Sequence, residues 1–133
     1  MKKQAKIGQS LSGLNEDKHQ VIIRDIMFFC KDNNIDVLSE KRARYTCRGK
    51  IKTIVPDVVV SNIVFIEITK HRGYKKDIEK LKLAIKYHRK MQEGFIYDYD
   101  NNDWVKISIQ NNEILEENSS YSDIFNIDFS DAV

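Results

Sequence analysis

Two apolar segments in the middle of the chain, residues 54–60 and 63–69, constrain the fold more than any other feature. They are the most β-prone stretches of the sequence, and only Ser61 and Asn62 separate them. Two strands with a two-residue connection pair as a tight antiparallel hairpin. Because the apolar character is nearly continuous rather than alternating, we expect both strands to be covered on both faces, as in the middle of an α/β sandwich.

Periodic patterns on either side of this hairpin predict the remaining elements. Apolar residues recur at helical spacing in residues 21–30, with Asn15 as the expected N-cap, and again in residues 75–91. Further strands are expected at residues 35–43, 95–99 and 104–109. The predicted order is α-β-β-β-α-β-β, an α/β fold in which helices flank a mixed central β-sheet.

Charge is distributed unevenly along the 133 residues, a length that suits one domain. The formal net charge is +2, but residues 113–133 hold six acidic residues and no Lys or Arg. Residues 1–112 therefore carry 22 basic and 14 acidic residues, a net charge of +8. We expect a basic domain over residues 1–112 and an acidic C-terminal tail over residues 113–133. A basic domain is typical of proteins that bind a phosphate backbone, and an ordinary solvated surface explains the charge equally well.

Several classes of protein are disfavoured by the composition. No apolar run approaches the roughly 18 residues that a membrane span needs, and the basic N-terminus lacks the apolar core of a signal peptide. The two cysteines, Cys30 and Cys47, provide neither a disulfide framework nor metal-ligand spacing. These features predict a cytoplasmic protein without a membrane partner.

The only proline of the chain, Pro56, lies inside a predicted strand and directly precedes Asp57. Proline cannot donate to a strand ladder, so it belongs at a strand start, an edge or a bulge. Asp57 lies among apolar residues, and Glu67 likewise lies between the apolar residues Ile66 and Ile68 on the next strand. An ionised carboxylate in such surroundings is unfavourable unless it is paired or binds a metal.

The pairing register decides whether these two acids meet. A strict two-residue turn pairs residues whose numbers sum to about 123, which sets Asp57 opposite Ile66 and places Asp57 and Glu67 on opposite faces. A bulge or a slightly longer turn would bring the two carboxylates together. Two neighbouring carboxylates repel unless a cation lies between them, and Mg²⁺ is held by one or two carboxylates with waters and phosphates.

This pattern resembles the PD-(D/E)XK nuclease superfamily, which includes many restriction enzymes and Holliday-junction resolvases. The motif is Pro56-Asp57, nine residues, and then Glu67-Ile68-Thr69-Lys70. The order of elements from residue 16 to residue 109 is similar as well. The resemblance implies a restriction-endonuclease-like fold and a metal-dependent endo- or exonuclease that hydrolyses DNA.

The resemblance also implies roles for individual residues. Asp57, Glu67 and the carbonyl of Ile68 would bind Mg²⁺ (or Mn²⁺), with Glu16 as a further metal ligand. Asp57, Glu67 and Lys70 would be the catalytic residues.

The position of the lysine departs from the family pattern. The family lysine should fall at position 69, which is Thr69 here, and Lys70 points to the opposite face of a regular strand. A bulge could redirect Lys70, or Lys76 or Lys80 on the next helix could supply the ammonium group. The alternative is a degenerate module that binds nucleic acid or a protein partner without cleavage.

Two basic clusters are candidates for binding DNA phosphates, although such clusters are often only solvated. The first would form a flap, in which Tyr45 could stack on a base. The second follows the motif hairpin. The candidate residues are Arg44, Arg48, Lys50 and Lys52 in the first cluster and His71, Arg72, Lys75, Lys76 and Lys80 in the second. A homodimer or a protein partner bound through the acidic tail remains open.

Overall fold

The computed structural model describes residues 17–133. The two helices are α1 (Lys18–Asp32) and α2 (Tyr74–Tyr87). The strands are β1 (Val37–Ser39), β2 (Ala43–Cys47), β3 (Lys50–Ile54), β4 (Val58–Val60), β5 (Val64–Thr69), β6 (Glu93–Asp98), β7 (Asp103–Gln110), β8 (Glu113–Glu117), β9 (Tyr121–Ser122) and β10 (Ile127–Asp128). Short 3-10 turns occupy His71–Gly73 and Phe129–Ala132.

A mixed sheet of six strands, in the order β1-β4-β5-β6-β7-β8, forms the centre of the fold. Only β5 and β6 are parallel, and α2 connects them. A parallel pair requires such a crossover, whereas the antiparallel neighbours need only short turns. The predicted α/β class with a mixed central sheet is therefore confirmed.

The two helices cover opposite faces of the sheet. On the α1 face the core includes Ile26, Val58 and Ile66, and on the α2 face it includes Phe65 and Leu81. Successive residues of β4 and β5 thus enter different cores, because side chains alternate along a strand. Every residue of both strands is buried, which explains their continuous apolar sequence.

The basic stretch after the first strand forms a separate two-stranded sheet. β2 and β3 pair antiparallel, with Ala43 opposite Ile54. The strands predicted over residues 35–43 and 54–60 are accordingly shorter, at 37–39 and 58–60. Glu40 has a left-handed backbone (φ 52°) that ends the first, and Pro56 interrupts the second because it cannot donate to a ladder.

Helix α2 is also shorter than the predicted residues 75–91. It ends at Tyr87 because His88 adopts an extended backbone. Nδ1 of the His88 ring accepts hydrogen bonds from the backbone N–H groups of Lys90 and Met91, both at 3.2 Å. The imidazole therefore stabilises the turn that leads into β6.

Residues 113–133 continue the same fold. β8 pairs with β7 at the edge of the main sheet. Phe129 is fully buried on the α1 face, where its ring meets the ring of Phe95 edge-on at 5.1 Å. Lys106 binds Asp123 at 2.6 Å. The acidic segment is thus anchored by apolar burial and by ion pairing. Neither helix in residues 17–133 is long and apolar enough to cross a membrane.

Candidate active site

The turn between β4 and β5 sets the position of the two acids. Ser61 and Asn62 have positive φ angles of 50° and 64°, and the N–H of Ile63 donates to the carbonyl of Val60 at 3.1 Å. Val60 nevertheless pairs with Val64, so Ile63 is an extra residue in the hairpin. Paired residues therefore sum to 124, and Asp57 comes to lie opposite Glu67 rather than Ile66. The strict register is wrong, and the bulged alternative is the one adopted.

Asp57 lies just before β4 and is held by its neighbours. Its Oδ2 accepts a hydrogen bond from the backbone N–H of Ile68 at 2.7 Å and lies 3.2 Å from Nε2 of His19. The N–H of Asp57 donates to Oε1 of Glu67 at 3.0 Å. No hydrogen bond within the described part of the chain involves Oδ1. One carboxylate oxygen of Asp57 is therefore fixed, and the other accepts no hydrogen bond from residues 17–133.

Glu67 is the most perturbed carboxyl of this group. It is buried, and its Oε2 contacts the ammonium group of Lys80. Burial raises the pKa of Glu67 to about 7, the Lys80 charge opposes this, and the negative charge of Asp57 adds to it. Burial is the main cause of this shift, and strongly shifted carboxyl pKa values are frequent at functional sites.

Lys80 extends from α2 toward the acids. Burial alone would lower its pKa, but the contact with Glu67 and the charges of Asp77 and Asp57 outweigh this effect and raise the pKa. Lys80 is therefore charged at neutral pH. Asp77 lies three residues earlier on the same helix face. Burial raises the pKa of Asp77, whereas the nearby hydroxyl of Thr69 and the Lys80 charge oppose the rise.

Lys70 does not join this group. Its side chain is exposed, and its backbone opens the turn at His71–Gly73. The buried Thr69 instead donates its hydroxyl to the carbonyl of Lys70 at 3.0 Å. Of the three lysines considered for the family position, Lys80 is the one that the structure brings to Glu67.

His19 and Asp77 were missed in the sequence. The N–H of His19 donates to the capping carboxylate of Asp17 at the start of α1, which orients the first turn. His19 is 38 residues from Asp57, so no local pattern links the two. The i,i+3 spacing of Asp77 and Lys80 on an amphipathic helix was the one signal available for Asp77.

The other predicted residues that the structure describes form no hydrogen bond or ion pair with Asp57, Glu67 or Lys80. Glu16 lies outside the described residues. Nδ1 of His71 lies 2.9 Å from the buried carboxylate of Asp98, whose pKa is lowered: burial would raise it, but hydrogen bonds from His71 and Asn101 outweigh burial. The remaining basic residues are exposed and form no ion pair within residues 17–133: Arg44, Arg48, Lys50, Lys52, Arg72, Lys75 and Lys76.

Within the described chain, no group of three or more His, Cys, Asp and Glu side chains is arranged to hold a metal ion. Any metal at this site would therefore have fewer than three of these side chains as ligands, completed by backbone carbonyl oxygens, waters or substrate. No protein-family model matches the chain, and no curated protein is significantly similar to it in sequence.

Proposed function

We propose that this protein is a metal-dependent phosphodiesterase. More specifically, we propose a deoxyribonuclease of the PD-(D/E)XK type in which Lys80 of α2 replaces the lysine expected at position 69. The observation that carries the proposal is the alignment of Asp57, just before β4, with Glu67 on β5, with the Lys80 ammonium against Glu67.

The donor set suits a hard divalent cation. Mg²⁺ is commonly held by one or two carboxylates and completes its shell with water and substrate phosphate oxygens. Oδ1 of Asp57 and Oε2 of Glu67 would be the carboxylate ligands, with the Ile68 carbonyl as the third ligand that the resemblance implies. Bound Mg²⁺ or Mn²⁺ would polarise the phosphoryl group and lower the pKa of a bound water.

The side chains of this protein would then orient the reacting groups and balance the charge on the phosphate. The N–H groups of Ile68 and Asp57 hold Asp57 Oδ2 and Glu67 Oε1, so both carboxylates are oriented before substrate arrives. The Lys80 ammonium would orient the attacking water and offset negative charge that develops on the phosphate. His19 would support Asp57 from α1.

DNA is the substrate that the exposed cations favour. The β2–β3 hairpin carries Arg44, Arg48, Lys50 and Lys52, and their charges are unpaired within the described residues. Unpaired Lys and Arg side chains on an exposed hairpin are suited to neutralise backbone phosphates.

A binding module without cleavage is the second candidate. The contact of Lys80 with Glu67 favours it, because an internal cation already compensates the buried carboxylate without a metal. Thr69 at the family lysine position points the same way. This candidate binds DNA in a salt-dependent manner and does not turn it over.

Cleavage of labelled DNA in Mg²⁺ or Mn²⁺ distinguishes the two candidates. Asp57→Asn, Glu67→Gln and Lys80→Met should each lower the rate by about 100-fold or more, with the fold verified by circular dichroism. Lys31→Met, an exposed change at the end of α1, is the matched control and should cleave like the wild type. Cleavage that survives both carboxylate changes would refute the site. Binding without cleavage by the wild type would support the second candidate.

A further inference from the structure

A pocket of about 500 Å³ lies beside the candidate active site, on the α2 face of the sheet. It is bounded by β2, by the end of α2 and by the turn of the β4–β5 hairpin. Its volume falls within the range of small-molecule binding pockets. Val59 and Phe65 line it, two residues along their strands from Asp57 and Glu67. Two strand residues span about 7 Å, so the pocket adjoins the acidic pair.

The wall of the pocket is strongly cationic. Five basic side chains line it, and no carboxylate does. Within residues 17–133 none of the five forms an ion pair, and the Lys41 ammonium donates only to the side chain of Asn62. The five are Lys41, Arg42, Arg44, Arg89 and Lys90. Their mutual repulsion in a concave site would be relieved by a bound anion.

Flat aromatic rings lie among these charges. The rings of Tyr45 and Tyr87 are nearly parallel, at 8°, with their centroids 6.4 Å apart. Phe65 and His88 meet edge-on at 5.2 Å in the same wall. Burial lowers the pKa of His88, and the charge of Lys90 acts in the same direction, so its ring is neutral at pH 7. The pocket therefore combines apolar, planar surfaces with a cationic rim.

This combination matches a nucleotide, which joins a flat base to a negative phosphate. Stacking of a base on an aromatic side chain requires that the face of the base be free. In duplex DNA both faces of each base are stacked on neighbours, and only phosphates and groove edges are accessible. A pocket that used both its tyrosines and its cations would therefore select an unpaired nucleotide.

We propose that this pocket binds an unpaired nucleotide of single-stranded DNA. The base stacks on Tyr45 or Tyr87, and the flanking phosphates contact Arg44 and Arg89. The inference rests on the proposed function for the nature of the ligand, and it names single-stranded or locally unpaired DNA as the substrate class.

The test measures binding by fluorescence anisotropy, in EDTA so that no cleavage occurs. The probes are a fluorescein-labelled dT12 strand and a 12-base-pair duplex at the same salt concentration. The wild type should bind the single strand at least about 10-fold more tightly. Tyr45→Leu should weaken that binding about 5- to 150-fold, as the loss of one stacked base implies. Tyr45→Phe keeps the ring and should change binding less than about 3-fold.

A second pair of variants covers the possibility that Tyr45→Leu does not fold. Arg89→Gln should weaken binding of the single strand and flatten its salt dependence, whereas Lys31→Gln should bind like the wild type. Equal affinity for single strand and duplex, no binding to either, or unchanged binding in Tyr45→Leu and Arg89→Gln would overturn the inference.

The two proposals fail separately. If the wild type cleaves DNA but the pocket variants bind single strands normally, only the pocket assignment is wrong. If no cleavage occurs with any metal but the single strand binds through Tyr45, only the proposed activity is wrong.

Discussion

Replacing Glu67 by Gln should stabilise the metal-free protein at alkaline pH. The two side chains have the same shape, and an amide oxygen can still accept the hydrogen bond that Oε1 receives from the N–H of Asp57. The glutamate side chain is only 4% exposed, and its pKa is about 7. At pH 8 the folded protein therefore keeps this carboxylate ionised in a buried position, where the charged form is less stable than it is in the unfolded chain.

The size of the effect follows from the two pKa values. In the unfolded chain the carboxyl titrates near its ordinary value of 4.5, and in the folded protein near 7. At 1.36 kcal/mol for each pH unit, ionised Glu67 destabilises the fold by about 3 kcal/mol above pH 7. The pKa of about 7 already includes the favourable effect of the Lys80 charge, so the loss of that contact is not subtracted again. The net gain expected for Glu67→Gln at pH 8 is therefore about 3 kcal/mol.

The pH dependence gives the sign independently. Between pH 4.5 and 7 the folded protein holds a proton on Glu67 that the unfolded chain has lost, so folding takes up a proton. The contribution of Glu67 to stability is therefore complete below about pH 4.5 and is lost as the pH rises to 7. Glu67→Gln lacks this titration. The difference in unfolding free energy between variant and wild type should grow from near zero at pH 4.5 to its full value at pH 8.

Urea unfolding in EDTA at pH 4.5, 6, 7 and 8 measures this difference. Glu79→Gln, which removes an exposed carboxylate from α2, is the matched control, and it is measured at the same four pH values. A Glu67→Gln protein that is less stable than the wild type at pH 8 would refute the reasoning. A difference that stays constant across the four pH values would refute it as well.

Two further predictions concern the metal and the C-terminal segment. Mg²⁺ at about 100 times its Kd should stabilise the wild type by about 2.7 kcal/mol, which calorimetry detects as a higher Tm. The Tm of Asp57→Asn should not change. An equal rise in the Tm of both proteins would mean that the ion binds elsewhere. Phe129→Ala should lower the unfolding free energy by about 3–5 kcal/mol, because this ring is fully buried against α1 and Phe95. Asp131→Ala is the exposed control, and a Phe129→Ala loss below 1 kcal/mol would mean that residues 113–133 are not integral to the fold.

The central elements were predictable because their signals are local. The hairpin strands, α2, β6 and β7 each carry a clear apolar period or run in the sequence. The β2–β3 sheet carries no such signal, since four of the five residues of β3 are exposed. The edge strand β8 is exposed at every position, so neither of its faces has an apolar pattern.

The candidate site was predictable only in part, for the same reason. Asp57 and Glu67 stand out because acids inside apolar strands are rare. Their alignment depends on Ile63, which is left out of the strand pairing by the positive-φ turn at Ser61 and Asn62. The choice of Lys80 over Lys76, and the approach of His19, depend on how the helices pack on the sheet, which no short window of sequence encodes.

Because of the extra residue in the β4–β5 turn, the site depends on whether the turn has an odd or an even number of residues. Side chains on a strand alternate between faces, so adding or removing one residue between Val60 and Val64 would place Asp57 and Glu67 on opposite faces of the sheet, where they no longer meet. Adding two residues would return the two side chains to the same face of the sheet. The length of this turn thus controls whether the two carboxylates meet, although the turn does not contact them. An insertion or deletion in the turn could therefore remove the acidic pair without any substitution of a site residue.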